Sequence, residues 1–211
     1  MRDERPADAG GVGVRALALT LYPEWTPFIT WRDDAGALHP AGKRTENRPW
    51  ACPRSLIGQD VAIHAGLRVG GLATVEQIRR WSANGTRAQS VTGILDALRG
   101  AVHMGEAAGV ITSGRFTVGA LLDLMAPGHV VAIVRVTGCD LDQRTPWDVP
   151  GQYHWRFEDV RALTPAPCRG AQGRRRPPGH PTGLPDPDRA AVVLLPAATQ
   201  RWLMRRGPTL R

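Results

Sequence analysis

The segment GKRTENRPW at residues 42–50 concentrates the side chains best suited to chemistry on a polar ligand. If the segment is extended, the two-residue period of a strand places Glu46, Arg48 and Trp50 on one face, and Lys43 joins them from the preceding turn. An indole stacks on flat rings, a carboxylate accepts N–H groups, and cations hold phosphate or carbonyl oxygens. The segment therefore predicts a cradle for a base or a nucleotide.

A purely structural interpretation of the same residues stays open. Glu46 can form an internal salt bridge with Lys43 or Arg48, and ion pairs in proteins are more often structural than functional. Arg44 and Asn47 are secondary candidates for ligand contacts, although the strand period turns Asn47 to the opposite face.

Lys43 is the only lysine among the 27 basic residues, and all the others are arginine. Lysine is a compact point charge whose pKa can fall on burial, whereas arginine is a planar fork that stays charged. A binding role should therefore tolerate Lys43→Arg with a modest loss. Proton transfer by this lysine should instead be abolished by the same exchange.

The net charge of +8 is concentrated at the carboxyl end of the chain. Residues 169–211 hold nine arginines and two aspartates, so the preceding part of the chain is nearly neutral. A nearly neutral domain favours a pocket for one or two nucleotides over a long track for phosphates. The basic tail can still attract phosphates without sequence specificity.

The composition indicates a single domain with a packed core and an appendage, since 42% of the 211 residues are hydrophobic. Neither a signal peptide nor a run of about 20 apolar residues is recognisable. Cys52, Cys139 and Cys168 are odd in number and form no CxxC pair, which argues against a disulfide framework and a zinc site. We expect a cytoplasmic protein with no membrane partner, metal or cofactor, while its oligomeric state stays open.

Strands and helices alternate irregularly along the chain, which predicts an α+β fold. Strands are predicted at 14–22, 58–66, 129–140 and 153–164, and helices at 75–83 and from Val91 to a stop at Gly100, followed by an apolar segment at 117–125. His64, near the end of its strand, is a secondary site candidate. A histidine on an apolar strand is more often a core residue whose ring nitrogens have hydrogen-bond partners.

Both ends of the chain predict disorder. Residues 1–13 lack apolar periodicity, and residues 174–211 form a basic tail rich in Pro and Arg. The domain itself is expected to cover residues 14–173. Whether the tail contains a short docking element stays open, because the segment AAVVLLPAATQRWLM is apolar but is interrupted by Pro196.

Five blocks of sequence occur in a recognisable order: LTLYPEW, GKRTENRPW, LIGQDVAIHAG, VVAIVRVTGC and YHWRFEDVRALTPAPCRGAQG. In order and spacing they resemble the ASCH domain family of the PUA-like superfamily, over residues 14–65 and 129–173. The resemblance implies a small β-barrel with flanking helices. It also implies binding of RNA, or of another single-stranded nucleic acid, in a cleft between barrel and helix.

Carried onto this chain, the resemblance implies that Lys43, Glu46 and Arg48 line the cleft, with Trp25 and Trp50 nearby. Residues 66–128 are longer than a compact domain of this kind requires, so we expect them to be a helical insertion over one side of the barrel.

An enzymatic branch of the family hydrolyses acylated cytosine nucleosides with a lysine and a threonine three residues later. This chain has Lys43 but Glu46 at the second position, and Thr45 points to the opposite face of an extended segment. Binding is therefore the leading hypothesis. The alternatives are a small amidohydrolase acting on a modified nucleoside, with Lys43 and Glu46 as its acid and base, and an interaction protein with a vestigial cleft.

Overall fold

The structure, a computed structural model, describes residues 17–84, 89–168 and 192–194. The expectations for residues 1–13 and for most of the tail lie outside these ranges. The described chain is a mixed α+β fold in which a curled, half-barrel sheet of five strands accompanies four helices. The predicted fold class is thereby confirmed at this coarser level.

The strands in chain order are β1 (Leu17–Leu21), β2 (Thr45–Arg48), β3 (Asp60–Ala65), β4 (Arg68–Val69), β5 (Ala73–Thr74), β6 (His129–Asp140), β7 (Tyr153–Pro167) and β8 (Val192–Leu194). The main sheet has the order β2-β7-β6-β3-β1, and β8 adds to the outer edge of β1. β1 and β3 run parallel, whereas the other neighbours are antiparallel. The strands β4 and β5 form a separate small hairpin.

The helical elements of the described chain are two 3₁₀ turns (Pro23–Trp25 and Arg54–Leu56), α1 (Thr26–Ile29), α2 (Val75–Ala83), α3 (Gln89–Ala107) and α4 (Val118–Leu124). The three longer helices all lie within the segment at 66–128 in which helices were expected. No helix in the described ranges combines the length and the apolar character needed to cross a membrane.

Two of the predicted helix boundaries had contrasting outcomes. α2 matches its predicted bounds because Thr74 and Gln77 form a reciprocal capping box. The predicted stop of α3 at Gly100 is wrong, since the helix continues to residue 107. Ala101 is completely buried, and packing there favours continuing the helix past the glycine. The chain turns instead at Gly109, whose φ of 72° suits a left-handed helix cap.

The described residues form three hydrophobic clusters, and the two larger ones are the main cores. The sheet core contains Leu21, Ile63 and Trp155, and the helical core contains Phe28 and Leu98. Trp25 and Trp50, which flank the predicted site along the chain, pack against different cores: Trp25 against the helical core and Trp50 against the sheet core. The predicted site therefore lies where the two cores meet.

Candidate functional site

Strand β2 and the turn before it bring the predicted charges together. Nζ of Lys43 lies 3.6 Å from Oε2 of Glu46, and Oε1 of Glu46 lies 3.0 Å from a terminal nitrogen of Arg48. Lys43 also donates to the backbone carbonyl of Thr45, and Arg48 donates to that of Thr20 at 2.8 Å. Glu46 is therefore held between two cations that are themselves fixed by backbone acceptors. We call Lys43, Glu46 and Arg48 the charge cluster.

An aromatic ring lies at each end of the charge cluster. Nζ of Lys43 is 5.9 Å from the ring centroid of Trp25, and the guanidinium carbon of Arg48 is 5.7 Å from that of Trp50. Both distances fall within the range of cation–π attraction. The structure thus brings together the five main ligand-binding candidates that the sequence singled out. Trp50 lies two residues beyond the end of β2, so a bend rather than the strand period sets its position.

Lys43 is far more buried than a surface cation, with only 2% of the residue exposed. Burial lowers the pKa of Lys43, while the negative charge of Glu46 opposes that fall. The expectation that a binding role would tolerate Lys43→Arg with only a modest loss must be revised, because a larger guanidinium has to be forced into an enclosed space. Lys43→Met, which keeps the length of the side chain and removes the charge, is the cleaner substitution.

Glu24 is a charged residue of this region that the sequence analysis missed. It lies in the 3₁₀ turn before α1 and is 1% exposed. Its Oε1 accepts the backbone N–H of Gly70 at 2.9 Å. Burial raises the pKa of Glu24 to about 7, and the negative charge of Glu46 adds to the rise. The signal in the sequence was a single carboxylate inside the apolar run LTLYPEWTPFI.

Buried polar atoms that lack a partner concentrate around the charge cluster. Five such side-chain atoms occur in the described part of the chain, and three of them are Oε2 of Glu24, Nε of Arg48 and Nε1 of Trp50. Leaving a buried donor or acceptor unsatisfied costs about 1–3 kcal/mol, and folded proteins keep only a few. The site therefore retains hydrogen-bonding capacity that a bound ligand can use.

Two of the secondary candidates, Arg44 and Asn47, have structural contacts instead. The guanidinium of Arg44 donates to three backbone carbonyls within residues 29–43 and so closes the loop that precedes β2. The side chain of Asn47 donates to the carbonyl of Trp147 at 2.8 Å and accepts the N–H of Val149 at 3.2 Å. Asn47 therefore ties β2 to the loop before β7.

His64 has the features of a satisfied core histidine. Its Nδ1 is 3.2 Å from the hydroxyl of Thr20, and its Nε2 is 3.2 Å from the carbonyl of Cys168. Burial lowers the pKa of His64 and favours the neutral ring. The described residues contain no group of three or more His, Cys, Asp or Glu side chains arranged to hold a metal.

A cavity of about 580 Å³ lies on the other side of β2, and Thr45 and Arg156 are among its lining residues. Arg156 is already held there by ion pairs with Asp140 and Asp148. The hydroxyl of Thr45 is buried and has no partner within the described ranges. Because Glu46 and Thr45 are adjacent in a strand, the charge cluster and the threonine hydroxyl face opposite ways. The structure therefore does not bring Thr45 into the charge cluster.

Comparisons with known proteins identify no relative of this chain. No protein-family model matches the chain, and searches of curated proteins and of solved structures also give no match. Fold and site together define the class: an α+β protein with a half-barrel sheet and a buried charge cluster where its two cores meet.

Replacing Glu24 with glutamine is expected to stabilise the protein in a pH-dependent way. Because folding raises the pKa of Glu24 from 4.5 to about 7, the folded state binds the proton more tightly, and stability is lost as pH rises between these values. The loss is about 3 kcal/mol once both states are ionised. Chemical denaturation of Glu24→Gln and the unchanged protein should therefore give free energies that diverge from pH 4.5 to pH 8. A constant difference across that range would show that Glu24 titrates normally.

Proposed function

We propose that this protein is a nucleic-acid-binding module of the ASCH, PUA-like type, which holds a base or nucleotide of RNA at the charge cluster. The observation that carries the proposal is a set of buried polar atoms at Glu24, Arg48 and Trp50 that have no partner within the described ranges, beside an ion-paired Glu46. The motif resemblance points to Glu46, Arg48 and Trp50 among these residues, but not to Glu24. We also infer a cytoplasmic location from the cysteine usage.

The proposed binding mode assigns each side chain a task that its surroundings permit. Arg48 and Trp50 each have an N–H donor that finds no partner in the described part of the chain, and these donors suit phosphate, ribose or carbonyl oxygens. The carboxylate of Glu46 retains acceptor capacity beyond its contact with Arg48 and can accept N–H groups of a base. Trp50 is partly exposed and offers a ring for stacking, which contributes about 1–3 kcal/mol per base.

Trp50→Phe is the sharpest test of the proposed site. The substitution keeps an aromatic ring and removes Nε1, which has no partner within the described structure of the free protein. We expect affinity for a short fluorescent single-stranded RNA to fall roughly tenfold by anisotropy, because one hydrogen bond to the ligand is lost. Stability should fall only by the packing that the smaller ring loses against the sheet core, since no internal hydrogen bond of that atom is broken within the described residues.

The matched control is Trp81→Phe, in which another partly buried tryptophan is changed within the helical core. Its affinity should equal that of the unchanged protein. If the protein binds no single-stranded RNA, or if Trp50→Phe and Lys43→Met both bind as tightly as the unchanged chain, the proposed function is wrong.

One observation favours a second candidate, a small amidohydrolase for acylated nucleosides. Burial lowers the pKa of Lys43, and its amine lies beside the carboxylate of Glu46, which is an arrangement suited to proton transfer. The family's threonine is replaced by Glu46, so this mechanism would need water as the nucleophile. Release of the free acid from an acylated cytidine, absent in Lys43→Met, would establish hydrolysis.

A further inference from the structure

Glu24 has a position that neither the sequence pattern nor the paired charges of the site explain. Its carboxyl group is enclosed, and the backbone N–H of Gly70 donates to one of its two oxygens, Oε1. The second oxygen, Oε2, is buried without a partner among the residues that the structure describes. The next residue in the chain is Trp25, whose ring lies under the amine of Lys43. Glu24 therefore belongs to the same enclosed region as the charge cluster.

The proton on Glu24 determines what its second oxygen can offer. Burial raises the pKa of Glu24 to about 7, so a substantial fraction of the carboxyl groups is neutral at physiological pH. Because Oε1 accepts the N–H of Gly70, the proton of the neutral form belongs on Oε2. A neutral carboxyl group thus presents an O–H donor from a position where a carboxylate would present an acceptor.

The uncommitted groups of the site then form an unequal set of donors and acceptors. As far as the structure describes the chain, three donors are available, at Oε2 of neutral Glu24, Nε of Arg48 and Nε1 of Trp50, whereas Glu46 supplies the negatively charged acceptor. Uracil and guanine place an oxo acceptor beside a ring N–H donor on their pairing edge. Cytosine and adenine place an amino donor beside a ring nitrogen acceptor, so their amino groups would face donors.

On this basis, and resting on the proposed function, we propose that Glu24 is a specificity-determining residue that donates a hydrogen bond from Oε2 to an oxo group of the base, while Glu46 accepts the adjacent ring N–H. The site therefore selects bases of the oxo class, uracil or guanine, over cytosine and adenine. The selection follows the general rule that a site built to hydrogen-bond a group rejects analogues that leave its buried polar atoms unpaired.

The test measures base preference directly by anisotropy with single-stranded hexamers of uridine, cytidine and adenosine. The unchanged protein should bind the uridine hexamer about tenfold more tightly than the other two. With uracil, Glu24 gains one hydrogen bond, whereas with cytosine or adenine its O–H would face an amino group that is also a donor. Glu24→Gln should keep the preference, because its amide oxygen can accept from Gly70 while its amide N–H replaces the O–H donor. Glu24→Met, which lacks any donor, should bind the three hexamers with similar affinity.

Failure of this inference is separable from failure of the proposed function. Equal affinity of the unchanged protein for the three hexamers, or a uridine preference that survives in a folded Glu24→Met, overturns the role of Glu24 and leaves RNA binding standing. Absence of binding to every hexamer removes the proposed function itself. If Glu24→Met does not fold, equal affinity of the unchanged protein for the three hexamers, or loss of the uridine preference in Glu24→Gln, still overturns the inference.

Discussion

Replacing Glu46 with glutamine is expected to lower the free energy of unfolding by about 3 to 5 kcal/mol at neutral pH. The shape of the side chain is preserved, but the buried ammonium of Lys43 loses its anion. Lys43 then loses the interaction that opposes the effect of burial on its pKa, so that pKa falls further. Because the unfolded state then binds the extra proton, the stability of the variant should recover as pH rises above the folded pKa of Lys43. Denaturation at several pH values measures both effects.

Two companion variants make this result specific to the buried pair. Adding Lys43→Met to Glu46→Gln should recover a large part of the loss, because the uncompensated charge is then removed. Asp96→Asn, which breaks an exposed pair with Arg99, should cost less than about 1 kcal/mol. A loss for Glu46→Gln no larger than that of Asp96→Asn would mean that Lys43 and Glu46 are not coupled in the folded protein.

Replacing Arg156 with methionine is expected to cost a similar 3 to 5 kcal/mol, on the opposite face of β2. Arg156 donates two hydrogen bonds, of 2.8 and 2.9 Å, to the carboxylate of Asp148, and it also forms an ion pair with Asp140 at 2.7 Å. The side chain of Asp148 is fully buried, so removing the guanidinium strands a carboxylate away from water. The change should be measured by chemical denaturation near pH 7.

The pH dependence of Arg156→Met should have a defined sign. Burial alone would raise the pKa of Asp148. Arg156 and backbone N–H donors nevertheless hold this pKa below its usual value. Without Arg156 that pKa rises, so the stability deficit should grow as pH rises and shrink under acidic conditions, where Asp148 is protonated. Arg135→Met, at a half-exposed pair with Asp60, is the control and should cost far less stability than Arg156→Met. Equal losses in the two variants would contradict the buried network.

Local signals predicted the elements of the fold well where the chain itself supplies the determinants. β6 coincides with its predicted range because a run of β-branched residues favours a strand whatever its neighbours are. α2 coincides because its cap is local. The end of α3 did not follow from Gly100, because the burial of Ala101 depends on packing against residues distant in the chain.

The residues of the candidate site also fall into those that local sequence predicts and those that it does not. Lys43, Glu46 and Arg48 could be grouped from the sequence because they lie within one turn and one strand, where spacing determines proximity. Glu24 could not, because its burial and its contact with Gly70 arise from the packing of the 3₁₀ turn against a distant loop. Sequence spacing alone carries no information about such long-range contacts.

A single lysine enclosed in the site also gives the protein one side-chain amine, and that amine is almost inaccessible. An amine-directed reagent can reach Nζ only when the surrounding structure opens locally. The rate at which Lys43 becomes labelled, distinguished from labelling of the terminal amine by peptide mapping, therefore measures how often the charge cluster opens. The measurement needs no substitution, because no other lysine contributes to the signal.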